Sequence, residues 1–514
     1  MSDVIVETHS GKVRGFAGQG VETYRGIPYG GPNGGKRRFL PPTPAVAWAG
    51  VRDATRFAAS APQPVTPAVI TLSGLVAGTA PAPVPGMPPY GMIICEDVQD
   101  EDCLVLNVWT PRAGHGARRP VLLWFHGGGW IAGSGSQPGA DGAALAREGD
   151  VVVVTVNHRL GVLGHLYLAE AMGPDYASSG NAGMLDLLAA AQWVRDNIAA
   201  FGGDPANVTV CGPSGGGGKT WTFLAMPATR GLAHRAAIIQ AHLLWHSVSI
   251  DNAARAAHAV LQELGVAHGD IGKLQQVPAD ALVRAATSVF PRLPRIPAFP
   301  SPREESLWFS PVIDGKVLTA FPTEAITAGA ARDIPLFIEA GVFEHFDARA
   351  LAIDGYGRLD DAAARAYVER HMGPAAGGVY DAYAGARPGA SPSSRLASLV
   401  SDANWRVPSI RVAEAQAAAG GRAWLAHFGM EFAAMTPMMM GNDALLGGHP
   451  MRAITGQLVG AFLAFMRSGD PNHAGIPAWA PYDGSRRSEL MFEYDCRVEA
   501  DAWRDERLAW SGLR

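Results

Sequence analysis

Short apolar runs closed by glycine, proline or asparagine recur along the chain and set the first reading of its fold. Residues 4–26 alternate apolar and polar positions on both sides of Ser10-Gly11, which predicts a hairpin. Residues 104–111 (LVLNVWTP) and 121–129 (VLLWFHGGG) predict two strands, the second running out into glycines. Residues 151–160 (VVVVTVNHRL) open as a continuous β-branched run, the pattern of a strand covered on both faces. Residues 208–212, 236–240 and 334–338 predict three more. Between the strands the period changes. Residues 186–201 put Leu187, Ala190, Ala191 and Val194 on one side of a helix that Gly202-Gly203 ends, and a last helix over 456–467 stops at Ser468-Gly469. Strands alternating with helices predict the α/β class, with a large, mostly parallel sheet flanked by helices.

The chain has 514 residues, of which 48% are hydrophobic and 17% charged, a globular balance. The sheet pattern resumes unchanged after the Pro- and Ala-rich residues 61–92. That stretch therefore reads as a lid or insertion loop inside one domain spanning 1–514, not as a linker. A net charge of -5 argues against a nucleic-acid partner, which calls for a basic patch. No apolar run approaches the roughly eighteen residues of a membrane span. The first residues, MSDVIVETHSGKVRG, lack a basic start followed by an apolar stretch. With four cysteines (Cys95, Cys103, Cys211 and Cys496), a reducing, cytoplasmic setting is expected, and spacing leaves a Cys95–Cys103 bridge open.

Two motifs carry chemistry. The predicted strand 208–212 runs into Gly212-Pro213-Ser214-Gly215-Gly216 and then into a helix-compatible stretch. G-x-S-x-G between strand and helix presents a serine oxygen above the sheet edge, and the flanking glycines remove side chains that a turn this sharp cannot hold. The bland reading is a flexible loop, since residues 215–218 are all glycine. The second motif, His126-Gly127-Gly128-Gly129-Trp130, follows a strand directly. Consecutive glycines let backbone N–H groups approach a carbonyl, and two of them with the N–H of Gly215 would form an oxyanion hole. Neither glycine cluster fits a phosphate-binding loop, and no histidine pairs with another ligand at zinc spacing, so neither a metal nor an organic cofactor is expected.

Six segments together resemble the type B carboxylesterases, the family of bacterial p-nitrobenzyl esterases and animal cholinesterases. They are GIPYG (26–30), EDCLVLNVWTP (101–111), HGGGW (126–130), VNHRLGVLG (156–164), FGGDPANVTVCGPSGGG (201–217) and FLAFMRSGDPN (462–472). The resemblance implies an α/β-hydrolase fold, cofactor-free ester hydrolysis through an acyl-enzyme on Ser214, and oxyanion donors Gly128, Gly129 and Gly215. It also places Glu344, in IPLFIEAGVFEHFD, on the family's catalytic glutamate, although Phe343 and His345 replace its neighbours. Pro213 stands where the family has Glu or Gln, and Ala241-His242 where it has Ser-Gly after a glutamine.

The histidine region departs most. Residues 424–428 match the family strand and 435–442 (MTPMMMGN) the run before the last helix, which puts Phe432 on the histidine. A serine needs an adjacent base. His449 keeps the chain order Ser, acid, His; His242 adjoins the family's triad surroundings; or there is no base. His427 reads as a packing residue, and Met435, Met438, Met439 and Met440 as a core or acyl-pocket cluster. Three functions follow: a serine carboxylesterase acting on an apolar small-molecule ester with a fairly bulky acyl or alcohol group; a non-hydrolytic relative such as a cyclase, dehydratase or ligand-binding protein; or an adhesion-type module, against which the intact elbow argues.

Overall fold

A computed structural model describes residues 2–64, 98–114, 116–241, 247–293, 309–341, 357–428, 435–442, 445, 452–493 and 495–511. The hairpin at the start forms as predicted, with β1 (Ser2–Thr8) antiparallel to β2 (Gly11–Gly18). β3 (Val21–Pro28) follows, and the short β4 (Val51–Asp53) pairs with β2. β5 (Val105–Thr110), β6 (Arg119–Phe125), β7 (Val152–Val156), β8 (Gly203–Pro213) and β9 (Arg235–Ile239) come next. After a small separate pair, β10 (Val248–Ser249) with β11 (Val312–Ile313), the main sheet continues with β12 (Leu336–Gly341), β13 (Ala423–Phe428), β14 (Ser488–Phe492) and β15 (Arg497–Ala500).

The order in the sheet is β1-β2-β3-β5-β7-β6-β8-β9-β12-β13-β14-β15. From β7 through β14 every neighbour is parallel, whereas β1, β2, β3 and β5 up to β7, and β15 at the far edge, join antiparallel, and the short β4 lies parallel to β2. The parallel part is the α/β class expected, and the antiparallel flanks widen it into a mixed sheet.

Alternation along each central strand supplies two cores. Val121, Leu123 and Phe125 of β6 pack on one face with Val152, Val154 and Val156 of β7. Leu122 and Trp124 pack on the other with Val151 and Val153. The first face is covered by the helices Ala182–Asn197 and Gly215–Ala225, and the second by Ala143–Gly149 and Arg452–Ser468. The sequence pattern set the first of these helices four residues late at each end: it begins at Ala182, and a 3-10 turn, Ile198–Phe201, finishes it. The methionine cluster is core. Met435, Met438, Met439 and Met440 are all buried against the second face.

Candidate active site

Ser214 sits where β8 ends and the helix Gly215–Ala225 begins. Its backbone is held at φ 53 and ψ -122, a conformation that costs a non-glycine residue about 1–3 kcal/mol and persists only where its surroundings impose it. Those surroundings are visible. The Ser214 N–H donates to the Ile239 carbonyl of β9 (2.8 Å), and the Ser214 carbonyl accepts from Gly218 N–H (3.1 Å). Glycines make the bend possible. A Cβ on Gly216 would lie 2.1 Å from the Phe125 carbonyl oxygen, and one on Gly212 2.2 Å from the same atom. The four-glycine run is therefore the first turn of a packed helix, buried throughout, and not a flexible loop.

The glycine loop 127–129 touches this elbow. A Cβ on Gly215 would fall 2.3 Å from the nitrogen of Gly129, so the two chains meet backbone to backbone. Gly128, at φ +92, turns the loop so that its carbonyl accepts from the N–H of Ala132 (3.1 Å). Among the described residues, no backbone carbonyl takes the N–H of Gly128 or Gly129. The nitrogen of Gly129 and the first residue of the Ser214 helix thus lie side by side. A tetrahedral intermediate places its negative oxygen among donors of this kind.

The start of the 61–92 stretch is fastened to the same loop. Gln63 Oε1 accepts from Gly133 N–H (2.7 Å), and its Nε2 donates to the Gly133 carbonyl (3.1 Å). Ser60 and Val98–Asp100 are bonded to one another, so both ends of residues 61–97 leave from one spot. Beside the loop opens an apolar cleft lined by Pro62, Ile131, Leu160, Val162, Phe290 and Phe309.

The family model for carboxylesterases matches residues 2–509. The chain belongs to the carboxylesterase family. It is 31% identical to the phenmedipham hydrolase of Pseudarthrobacter oxydans over 93% of this chain and 92% of that one. It is 39% identical to the para-nitrobenzyl esterase of Bacillus subtilis, over 66% of this chain and 62% of the relative, so that match spans less than two thirds of the Bacillus protein. Among solved structures, a carboxylesterase of Geobacillus stearothermophilus superimposes with a TM-score of 0.84 at 34% identity, covering 98% of this chain and 99% of its own. Fold and family are those of a serine carboxylesterase.

The residues expected to supply the acid and base of this carboxylesterase-family chain are not among those described. Glu344, His242, His449 and Phe432 lie outside the described residues, as do residues 65–97 of the insertion, with Cys95 among them. Cys103 is buried as a free thiol. Among the described residues no group of His, Cys, Asp and Glu is arranged to hold a metal ion.

Two buried ionisable groups near the strand ends carried no local sequence signal. Glu339 of β12 is fully buried, one strand beyond Ile239, with neither carboxylate oxygen hydrogen-bonded. Burial pushes its carboxyl well above the usual range, only partly opposed by the polar groups of neighbouring Gln240. His427 of β13 does more than pack: its Nε2 lies 2.5 Å from Oε2 of Glu489 on β14. This histidine–carboxylate pair resembles two-thirds of a triad. The register nevertheless runs from Pro213 through Ile239 and Glu339 to Ala426, so His427 stands three strand spacings, about 14 Å, from Ser214. It is not the missing base.

Proposed function

We propose that this chain hydrolyses a small-molecule carboxylic ester through an acyl-enzyme on Ser214. Gly128, Gly129 and Gly215 donate to the oxyanion. Glu344 orients the base, which is His449 or His242. The carrying observation is the strained Ser214 backbone held against Gly129 by a glycine contact that no side chain could occupy. In the reaction, the base takes the Ser214 proton, Oγ bonds the carbonyl carbon, and the base returns the proton to the departing alcohol. Water then repeats the sequence on the acyl-enzyme.

An apolar acyl or alcohol group fits the cleft beside Ile131. The chain is read as one domain over 1–514, with 61–92 as a lid whose base Gln63 pins to the oxyanion loop. No helix among the described residues is long and apolar enough to cross a membrane. The few cysteines and the bacterial relatives support a cytoplasmic setting.

The test is Ser214→Ala assayed on a p-nitrophenyl ester. Turnover should fall about 10⁴–10⁶-fold, with a residue left by the oxyanion donors and binding, while the melting temperature holds. Hydrolysis unchanged in the pure variant would sink the proposal.

A further inference from the structure

Behind the oxyanion loop lies a set of buried ionisable groups for which the mechanism above has no role. Lys219, on the helix that starts at Ser214, has no exposed surface. Its Nζ donates to the backbone carbonyl of His126 (2.8 Å). The His126 ring stacks on that of His158 with centroids 4.9 Å apart. Nδ1 of His126, His158 and His165 each faces a backbone carbonyl, at 2.8, 2.9 and 3.1 Å, which places the ring proton on Nδ1. The buried carboxylate Asp186 is committed to Arg159, 2.6 Å away. Burial without a counter-charge pushes the Lys219 amine well below its ordinary range, and the same burial, aided by Lys219, lowers all three imidazoles.

A buried lysine is costly, and here it makes one specific contact. The accepting carbonyl belongs to the peptide that opens the glycine loop. A Cβ on the next residue, Gly127, would lie 3.8 Å from Cβ of Ser214. Residues 126–129 belong to no helix or strand, so a side-chain donor does there what a ladder does elsewhere.

We propose that Lys219 is a positioning residue, tying the helix that carries Ser214 to the loop that carries Gly128 and Gly129 so that donors and nucleophile keep one register. The proposal rests on Ser214 being the nucleophile. Lys219→Met keeps the length and apolar stem and removes the donor. With a p-nitrophenyl ester, kcat should fall about tenfold or more while KM stays within about twofold, a fraction of the 10²–10³-fold cost of deleting an oxyanion donor outright. Affinity for an alkyl trifluoromethyl ketone, which forms a tetrahedral adduct, should fall by the same factor. The melting temperature should hold or rise, because the variant no longer buries an ionisable group.

An unchanged kcat overturns the proposal, and so does a lower kcat with undiminished ketone affinity. If the ketone fails to inhibit the wild-type protein, it is the assignment of Ser214 that fails. Should Lys219→Met prevent folding, Lys219→Gln, which retains a shorter N–H donor, is compared with Lys219→Leu, which has none. Equal kcat in that pair overturns the proposal as well.

Discussion

At the carboxyl edge of the sheet, the ends of β6 and β8 differ from the ends of β12 and β13 in what holds them. The first pair is fixed by main chain. Gly212, Gly215 and Gly216 sit where a single added carbon would collide with the Phe125 carbonyl or with Gly129. The second pair carries ionisable side chains in apolar surroundings: Glu339 without a partner, and His427 matched to Glu489. A hole made of backbone donors needs only close approach, which glycine supplies within a short stretch of sequence. An acid–base pair needs two side chains brought from distant strands to hydrogen-bonding distance, and its geometry is set by the packing of everything between them.

The largest effect is expected at the base. His449→Ala and His242→Ala should differ. The true base should lose on the order of 10³–10⁶-fold in kcat, and the other should stay within about threefold. Equal, small effects would mean that neither histidine is the base.

Gly215→Ala tests the opposite side. Its methyl would lie 2.3 Å from the Gly129 nitrogen, so loop and helix must separate. A loss of about 10²–10³-fold in kcat is expected, with KM little changed. Retained activity would show that the contact is dispensable.

The smallest effect concerns Glu339. Its folded carboxyl titrates well above the ordinary 4.5. Below pH 4.5 both folded and unfolded chains hold the proton, and the group makes no difference. As pH rises, the unfolded carboxyl ionises first and stability drains away until the folded value is passed. Glu339→Gln, which cannot ionise, should therefore match the wild type near pH 4 and exceed it by about 1 kcal/mol at pH 8. Denaturant melts at the two pH values check it. A variant less stable at pH 8 would mean that the carboxylate is charged and paired.

The same contrast explains what the sequence disclosed. The elbow and the glycine loop were legible because strand, turn and helix are local, and each motif lies within a few residues. The central strands were legible from their apolar runs, although residues 157–160 end their run outside β7. There Asn157 turns away to bond Gly135 and Ala59. β15 was not legible, because a four-residue edge strand with exposed ends has no buried face to pattern. The His427–Glu489 pair joins residues 62 apart, and no local spacing announces it. Lys219 was hidden by the glycine run, which reads as flexible until Phe125, His126 and Gly129 are seen packed against it.

The methionine cluster has a chemical consequence of its own. Met435, Met438, Met439 and Met440 have no exposed surface, and the Met440 carbonyl accepts from Leu145 N–H (3.1 Å). Peroxide reaches such thioethers only when the region opens. Once an oxygen is added, the larger, polar sulfoxide no longer fits the site it left. Oxidation here is thus slow to begin and hard to reverse by refolding alone. The sulfur atoms act as a cumulative record of how often this part of the molecule has come apart.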